Sequence, residues 1–406
     1  MPLAICAVLI ALLLGLGFAL EDGEEGRVTA AGQRVAPLET IARRVERIRR
    51  LRFENLPEPR VVSAATARRE GLADLDRGYP ERRRRIEEEI YKLLGLLSAR
   101  DDLREISGSI LSEQVAGYYD PRSGALRIVD AGAPANRVLD ETTLAHELTH
   151  ALEDQRFDLR TEDLEASGDE AFAYAALVEG TATALMTEYE RLHFRPEEAL
   201  GGAAAAAFGA PSTDDLPPFV LAQLLFPYLG GQELVDELYS TGGDSWRLVD
   251  LAHRVRPPAS TEQVMHPRKY LEAEQPARVE LEGVGRVLGR GWRRVEGATF
   301  GEWETRELLR AGDGGGASRA AAGWGGDRYE LWRRGPLPAA GCAAPCVGRD
   351  ALVMRWQWDT RGDAREFERA LAGGFGDAVA PGAAWEIARG RDGRTITLAI
   401  AGDRAR

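Results

Sequence analysis

Hydrophobic side chains recur at intervals of three and four residues along much of the chain, which is the spacing of helices that bury one face. The clearest case lies at 34–54, where the apolar positions are Val35, Leu38, Ile41, Val45, Ile48 and Leu51. We expect further helices at about 80–98, 138–156, 169–194 and 214–240. In the second helix, the pairs Arg83/Glu87, Arg84/Glu88 and Arg85/Glu89 have i,i+4 spacing and are expected on a solvated face.

A different pattern appears at 113–132, where two runs of β-prone residues flank the turn sequence DPRSG. Its proline and glycine suit a turn, so we predict a β-hairpin here. Residues 260–271, STEQVMHPRKYL, are predicted to form a loop, and the glycine-rich residues 312–326 a flexible segment. Further strands are predicted at RYELWRR, ALVMRWQW and TITLAI, with a helix at DAREFERALAG between the last two.

These elements predict an α+β protein with a mainly helical core, a short hairpin and a C-terminal α+β subdomain. A chain of 406 residues is too long for one small core. We divide it into an apolar N-terminal segment (1–20), a linker (21–33), an N-terminal helical region (34–110), a core (111–275) and a C-terminal region (276–406).

Residues 3–20 are uninterrupted apolar and small residues, at the border between the core of a signal peptide and a membrane-spanning helix. The flanking MPL has no Lys or Arg, which weakens both interpretations. The acidic sequence EDGEEG follows directly and argues against a buried core helix. We therefore expect an extracytoplasmic protein, either secreted or anchored to the membrane by this segment, and leave open whether the segment is cleaved.

The composition is that of a globular protein, with 44% hydrophobic and 29% charged residues. The net charge of −13 argues against nucleic acid as a partner, because nucleic acid binding needs a basic face. Outside the apolar segment, which contains Cys6, the cysteines are Cys342 and Cys346. In an exported protein we expect them to form one short disulfide.

The sequence TLAHELTHALEDQ (143–155) places two of the five histidines four positions apart. On a helix, His146 and His150 point in nearly the same direction and can bind one metal ion. Glu147 points about 100° away from His146 and can lie beside the ion without binding it. Aliphatic residues lie roughly opposite: Leu144, Leu148, Ala151 and Leu152. The preceding DETT supplies candidate N-caps. The alternative is two solvated histidines on a polar helix.

A third ligand is suggested by residues 171–187, AFAYAALVEGTATALMT, in which Glu179 is the single charged residue. A buried carboxylate is costly unless it meets a cation or a metal. Small neighbours, among them Gly180, would let this helix approach the histidine helix closely. Asp169 and Glu170 are rival ligands, but they stand at the helix start, where acidic residues are common.

Two histidines and a glutamate with an open fourth position are typical of a catalytic zinc site. Zinc in such a site lowers the pKa of water, and Glu147 is placed to take the proton and to pass it to a leaving amine.

The sequence here resembles the gluzincin branch of zinc metallopeptidases, in the peptidase MA-like superfamily. The resemblance rests on EQVAGYYDPRSGALRIVD, TLAHELTHALEDQRFDL and ALVEGTAT, within about 113–190, and within the superfamily these are similar to exported metallopeptidases. It implies a zincin-like fold, with His146, His150 and Glu179 as zinc ligands, Glu147 as general base and a peptide or protein substrate. It also implies that the strand near 124–129 is a sheet edge beside the cleft. Thr183 stands where thermolysin-like members have an aspartate.

Several residues are candidates for supporting roles. Asp154, four positions after His150, could orient a ligand. An oxyanion could be stabilised by His266, Tyr270, Tyr118 or Tyr119, and none of these is singled out by the sequence. We interpret His193 and His253 as structural. Two other functions stay open: a non-proteolytic or inactive zincin-fold protein, and a membrane-anchored binding module in which zinc is structural.

Overall fold

The computed structural model describes residues 35–113, 117–130, 136–159, 168–209, 216–312, 315–335 and 345–402, with the backbone alone at 111–113 and 203–209. Helices and two separate β-sheets occupy these residues, which confirms the predicted α+β class. A continuous cluster of buried hydrophobic side chains extends from Ile41 to Ile400. The N-terminal, central and C-terminal parts therefore share one core, and the predicted boundaries between them stay a prediction.

The N-terminal part contains four helices and the first sheet. Its elements are α1 (Leu38–Arg49), β1 (Pro59–Ser63), α2 (Ala64–Gly78), α3 (Glu81–Leu93), α4 (Leu103–Glu113), β2 (Gly117–Asp120) and β3 (Ala125–Asp130). Strands β2 and β3 form the predicted antiparallel hairpin. Strand β1 pairs with β3 in parallel, so the sheet order is β1-β3-β2. The expectation that the strand near 124–129 is a sheet edge is wrong, because β3 is the central strand and β2 is the edge.

The central part is helical. Its elements are α5 (Arg137–Phe157), α6 (Asp169–His193), α7 (Pro196–Gly209), α8 (Pro218–Thr241), α9 (Arg247–Arg254), α10 (Thr261–Met265) and α11 (Pro267–Leu271). Helix α6 packs against both α5 and α8. The segment 260–271, which we expected to be a loop, forms the two short helices α10 and α11, and the Ser260 side chain caps the first by accepting from the Gln263 backbone N–H.

The C-terminal part contains a five-stranded antiparallel sheet. Its elements are α12 (Val284–Leu288), β4 (Trp292–Ala298), α13 (Gly301–Gly312), α14 (Ala317–Ala321), β5 (Trp324–Arg334), β6 (Asp350–Trp358), α15 (Arg361–Ala378), β7 (Ala383–Arg389) and β8 (Thr395–Gly402). The strand order is β4-β5-β6-β8-β7. Helix α15 packs on this sheet, where Phe367 contacts the rings of Trp356 and Trp358. The region 312–326, expected to be flexible, includes α14 and the start of β5.

The charged face predicted for α3 is largely buried, which corrects the expectation of a solvated face. Of the three predicted pairs, Arg83–Glu87 is the one that forms, at 3.4 Å. Glu89 is buried, accepts a hydrogen bond from the Cys346 backbone N–H, and lies 3.7 Å from the guanidinium of Arg333. Glu89 is thus buried by the C-terminal region. Glu87 and Arg84 are instead buried against Tyr79, whose hydroxyl donates to Glu87 and whose carbonyl accepts from Arg84. Helix periodicity reveals neither set of contacts.

The predicted apolar segment (1–20) and linker (21–33) lie outside the described residues, as does Cys342. Cys346 is disulfide-bonded, and its pairing with Cys342 stays a prediction. Within the described part of the chain, no helix is long and apolar enough to cross a membrane.

Candidate metal centre

Helix α5 carries the HELTH sequence through the interior of the protein. Asn136 caps its N-terminus, with a side-chain oxygen that accepts from the backbone N–H groups of Val138 and Leu139. The DETT residues predicted as caps lie within the first turns of the helix instead. Every residue from Val138 to Glu153 is buried, so the helix has no solvated face. The alternative of two solvated histidines is therefore wrong.

Three side-chain atoms from two helices converge beside α5. The Nε2 atoms of His146 and His150 lie 2.9 Å apart. Oε2 of Glu179, on α6, lies 3.2 Å from Nε2 of His146 and 3.4 Å from Nε2 of His150. All three side chains are buried, and they form one of two groups among the described residues whose donor atoms are close enough to share a metal ion. The structure thus brings together the three predicted ligands.

The position of Glu179 depends on how α6 packs. On α6, Thr183 Oγ1 donates to the Glu179 carbonyl at 2.7 Å. The adjacent Gly180 faces Gly231 of α8, and a β-carbon on Gly180 would lie 2.1 Å from the Gly231 carbonyl carbon. We predicted a close approach of these small residues to the histidine helix. The close approach at Gly180 is to α8 instead.

The three donor atoms fit a divalent transition metal such as zinc. In a tetrahedral site with bonds of about 2.0–2.1 Å, neighbouring ligand atoms are roughly 3.3 Å apart, close to the separations found here. Glu179 Oε1 is buried, and among the described residues it has no hydrogen-bond partner. Imidazole nitrogens and a carboxylate oxygen are the donor types that zinc takes in catalytic sites. The residues therefore fit the metal that the sequence predicts.

The protonation of the ligand groups reflects burial and mutual contact. Burial lowers the pKa of His146 to about 4, which keeps its imidazole neutral and able to bind a metal. Burial also opposes ionisation of Glu179, but the neighbouring His150 and His146 outweigh it and lower the pKa of Glu179 to about 2. For His150, burial opposes protonation, but the Glu179 carboxylate outweighs it and raises the pKa to about 9. Without a metal the group therefore contains a neutral imidazole, an imidazolium and a carboxylate, and a bound metal would take the place of the His150 proton.

Glu147 lies next to this group without belonging to it. Its Oε2 accepts a hydrogen bond of 2.8 Å from the backbone N–H of Tyr119, in the edge strand β2. Its Oε1 is buried and has no partner within the described residues. Burial raises the pKa of the Glu147 carboxyl to about 8. A titratable group with a strongly shifted pKa beside a metal-type cluster is a candidate general base.

A buried polar network lies behind the ligands, and the sequence analysis did not predict it. Glu153, one turn after His150, accepts a hydrogen bond of 2.7 Å from Arg49 of α1. Nε2 of His253 lies 3.6 Å from Glu153 Oε2 and 3.1 Å from Thr181 Oγ1 on α6. His253 thus contacts both ligand-bearing helices. This agrees with the structural role predicted for it, since His253 joins α5 and α6 beside the metal group.

The residues proposed for supporting roles have other partners. Asp154 Oδ2 accepts from the Tyr119 hydroxyl at 2.8 Å, and Asp154 Oδ1 accepts from the Leu159 backbone N–H at 3.2 Å. The Tyr118 hydroxyl donates to Glu70 at 2.8 Å. Asp154 therefore contacts neither histidine ligand and holds β2 instead. The ring of Tyr228 lies beside that of His146, 6.1 Å away between ring centres, and nothing in the sequence singles it out.

His266 and Tyr270 lie apart from the metal group. His266 Nε2 is 2.9 Å from Glu302, and the Tyr270 hydroxyl donates to the Arg256 carbonyl at 2.8 Å. Asp169, a rival ligand, is buried and accepts from the Thr261 backbone N–H, while Glu170 is exposed. None of these four shares a hydrogen bond or an ion pair with the three ligands in the described part of the protein. His193 packs on the ring of Tyr189, 4.7 Å away, which agrees with a structural role.

The second group of clustered donors already surrounds a cationic side chain. It consists of Glu262, Glu274 and Asp359. The Nζ atom of Lys269 lies 2.5, 3.0 and 2.8 Å from their carboxylate oxygens, respectively. Because an ammonium group occupies the position that a metal ion would take, this cluster joins α10 and α11 to the C-terminal sheet and is not a metal site.

Comparisons with known proteins match one family model to part of the chain, outside the metal group. Residues 286–406 match a family described as a domain of unknown function, DUF8575. This is less than a third of the chain and does not include the ligands. No curated protein matches the sequence. The crystal structure of "a putative hydrolase with a novel fold" from Chloroflexus aurantiacus aligns with a TM-score of 0.38 and 18% identity, over 58% of this chain and 87% of that one. A similarity this low indicates neither the fold nor the activity.

Proposed function

We propose that the protein is a zinc-dependent peptidase of the gluzincin type. The observation that carries the proposal is the convergence of His146 Nε2, His150 Nε2 and Glu179 Oε2 within 3.4 Å of one another, with the Glu147 carboxylate one residue away from His146. A structural zinc site would use four protein ligands, whereas a catalytic one uses three and keeps a position for water or substrate. Three are found among the described residues.

In this proposal, His146, His150 and Glu179 hold the metal. When bound, zinc supplies a Lewis acid that lowers the pKa of water and polarises a carbonyl group. Glu147 acts as the general base. Its Oε2 is held by the Tyr119 N–H, which leaves Oε1 to take a proton from the attacking water and to return it to the leaving amine.

We further propose that this activity is extracytoplasmic, on the basis of the apolar segment 3–20. The acidic net charge, −13, fits a peptide or protein substrate better than nucleic acid. The alternative is an inactive or non-proteolytic zincin-fold protein that serves as a membrane-anchored binding module. The intact Glu147 favours the enzyme, because a purely structural metal site does not need a carboxylate beside the ligands.

The test is digestion of a broad peptide library by the full chain after zinc loading, with products identified by mass spectrometry. We expect cleavage at a defined set of peptide bonds, lost after metal removal by a chelator and restored by zinc. The control is the Glu170→Gln variant, since Glu170 is exposed at the start of the helix that carries Glu179. Failure of fully zinc-loaded protein to cleave any peptide would favour the binding module.

A further inference from the structure

The edge strand β2 covers Glu147. The Glu147 side chain is buried, with 1% of its surface exposed. A β-carbon built on Gly117 would lie 3.9 Å from Glu147 Cγ and 3.0 Å from the Arg127 carbonyl oxygen, so the strand passes directly over the carboxyl. His150 is 4% exposed and His146 and Glu179 are fully buried. In the described part of the protein, β2 therefore lies against the carboxylate that a peptide must reach.

Tyr119 fastens β2 to α5 at two points. Its backbone N–H donates to Glu147 at 2.8 Å, and its hydroxyl donates to Asp154 at 2.8 Å. Glu147 and Asp154 are seven residues apart on α5, which is two turns, so both lie on the same face of the helix. One residue thus spans this face, with His150 between its two anchor points.

The way β2 is paired explains why these two bonds from Tyr119 to α5 matter. Strand β2 is bonded to β3 on one side, and its other edge faces α5. A strand edge ordinarily pairs with another strand or with solvent, because it carries free N–H and carbonyl groups. Here the N–H of Tyr119 donates to the Glu147 side chain, beside the metal group. Among the four residues of β2, Tyr119 is the one whose side chain bonds to α5, through its hydroxyl and Asp154.

We propose that Tyr119 is a positioning residue that closes β2 over Glu147, and that release of the Tyr119–Asp154 bond lets the strand move and admits the substrate. This inference rests on the proposed peptidase function. In the closed position, the Tyr119 N–H holds Glu147 Oε2 in place. In the open position, the same carboxylate becomes accessible to a peptide and to water, and reclosure after binding returns Oε2 to the Tyr119 N–H for the reaction.

The test compares Tyr119→Phe with Tyr118→Phe in the full chain by hydrogen exchange of residues 117–120, measured by mass spectrometry. Each variant removes one hydroxyl that donates to a carboxylate at 2.8 Å. The Tyr118 hydroxyl binds Glu70 on α2 and the Tyr119 hydroxyl binds Asp154 on α5. The control therefore removes the same kind of bond and leaves the bond to α5 intact. We expect amide exchange in the Tyr119→Phe variant to be about tenfold faster, because losing one such hydrogen bond makes local opening easier by about that factor. Unchanged exchange, or an equal effect of Tyr118→Phe, would overturn the proposal.

Kinetics separate this proposal from the function on which it rests. The apparent affinity for a substrate is proportional to the fraction of protein that is open. Tyr119→Phe raises this fraction, so it should lower KM by up to about tenfold and leave kcat within a few-fold. Tyr118→Phe should change neither. Faster exchange with an unchanged KM would contradict the gating role. If Glu147→Gln keeps its activity, the peptidase mechanism fails, whereas the exchange result still decides whether Tyr119 holds the strand.

Discussion

Gly180 and Gly231 face each other with no room for a side chain: a β-carbon on Gly180 would lie 2.1 Å from the Gly231 carbonyl carbon. Helices α6 and α8 therefore cross with their backbones in contact. This crossing is next to Glu179 in the chain, so the packing of two glycines sets the position of a metal ligand.

The Gly180→Ala variant should be less stable than the wild type, because the added methyl group forces the two helices apart. Overpacking of this kind costs about 1–3 kcal/mol, measured as the free energy of unfolding in urea. The matched control is Gly201→Ala in α7, where an added β-carbon meets nothing within 4 Å. There we expect a gain of about 0.5–1 kcal/mol, since alanine is favoured over glycine in a helix. Equal stabilities of the two variants would contradict the contact.

Arg49 neutralises the buried Glu153, and we expect Arg49→Met to destabilise the protein strongly. Both side chains are fully buried and lie 2.7 Å apart. Removing one partner leaves a charge uncompensated, which costs about 3–5 kcal/mol. The double variant Arg49→Met/Glu153→Leu should recover most of this loss. The control is Arg52→Met, whose pair with Glu46 is exposed on the arginine side and contributes about 0–1 kcal/mol. Chemical denaturation of the wild type, Arg49→Met, Glu153→Leu and the double variant measures the interaction energy.

Glu304 should make the protein more stable in mild acid than at alkaline pH. Burial raises the pKa of its carboxyl to about 8. The folded state therefore binds a proton that the unfolded chain releases near its ordinary pKa of about 4.3. The stabilisation is complete below that value and is lost as the pH rises to about 8, with a slope of up to about 1.4 kcal/mol per pH unit.

The Glu304→Gln variant checks this pH dependence. The glutamine keeps an acceptor for the Tyr91 hydroxyl, which donates to Glu304 at 2.7 Å, but it cannot titrate. Its unfolding free energy should change less between pH 5 and 8 than that of the wild type, by about 1 kcal/mol or more per pH unit near pH 6. The exposed Glu58→Gln should keep the wild-type slope. A wild-type slope in Glu304→Gln would show that other groups cause the dependence.

That His146, His150 and Glu179 lie together could be predicted from the sequence, because the signal is local, while their binding of zinc stays a prediction. His146, Glu147 and His150 follow from helical spacing, and Glu179 follows from being a lone charge in an apolar helix. The role of Asp154 and the strand order β1-β3-β2 could not be predicted. Both depend on contacts between distant parts of the chain, such as β1 at 59–63 pairing with β3 at 125–130. The burial of Glu89 on α3 and the partnership of Arg49 with Glu153 have the same long-range origin.

Glu179, and not Asp169, should prove to be the third zinc ligand. Glu179→Ala should lower zinc affinity by more than about 100-fold, since even partners of the ligands contribute 10–100-fold. Asp169→Ala removes a carboxylate that accepts from Thr261 and should retain one zinc per chain. The measurement is zinc content after equilibration at a buffered low concentration of free metal. Retention of zinc by Glu179→Ala, with loss by Asp169→Ala, would show that the ligand is misassigned.

The most direct test of the central claim is to measure zinc content and peptide hydrolysis on the same sample of the Glu147→Gln variant. Glu147 lies beside the ligands and is not one of the three clustered donors. The variant should therefore bind one zinc per chain, as the wild type should, and lose hydrolysis by at least about 10²–10⁴-fold, the usual contribution of a general base. A zinc-loaded Glu147→Gln protein that cleaves the same peptides within a few-fold of the wild-type rate would contradict the proposed mechanism.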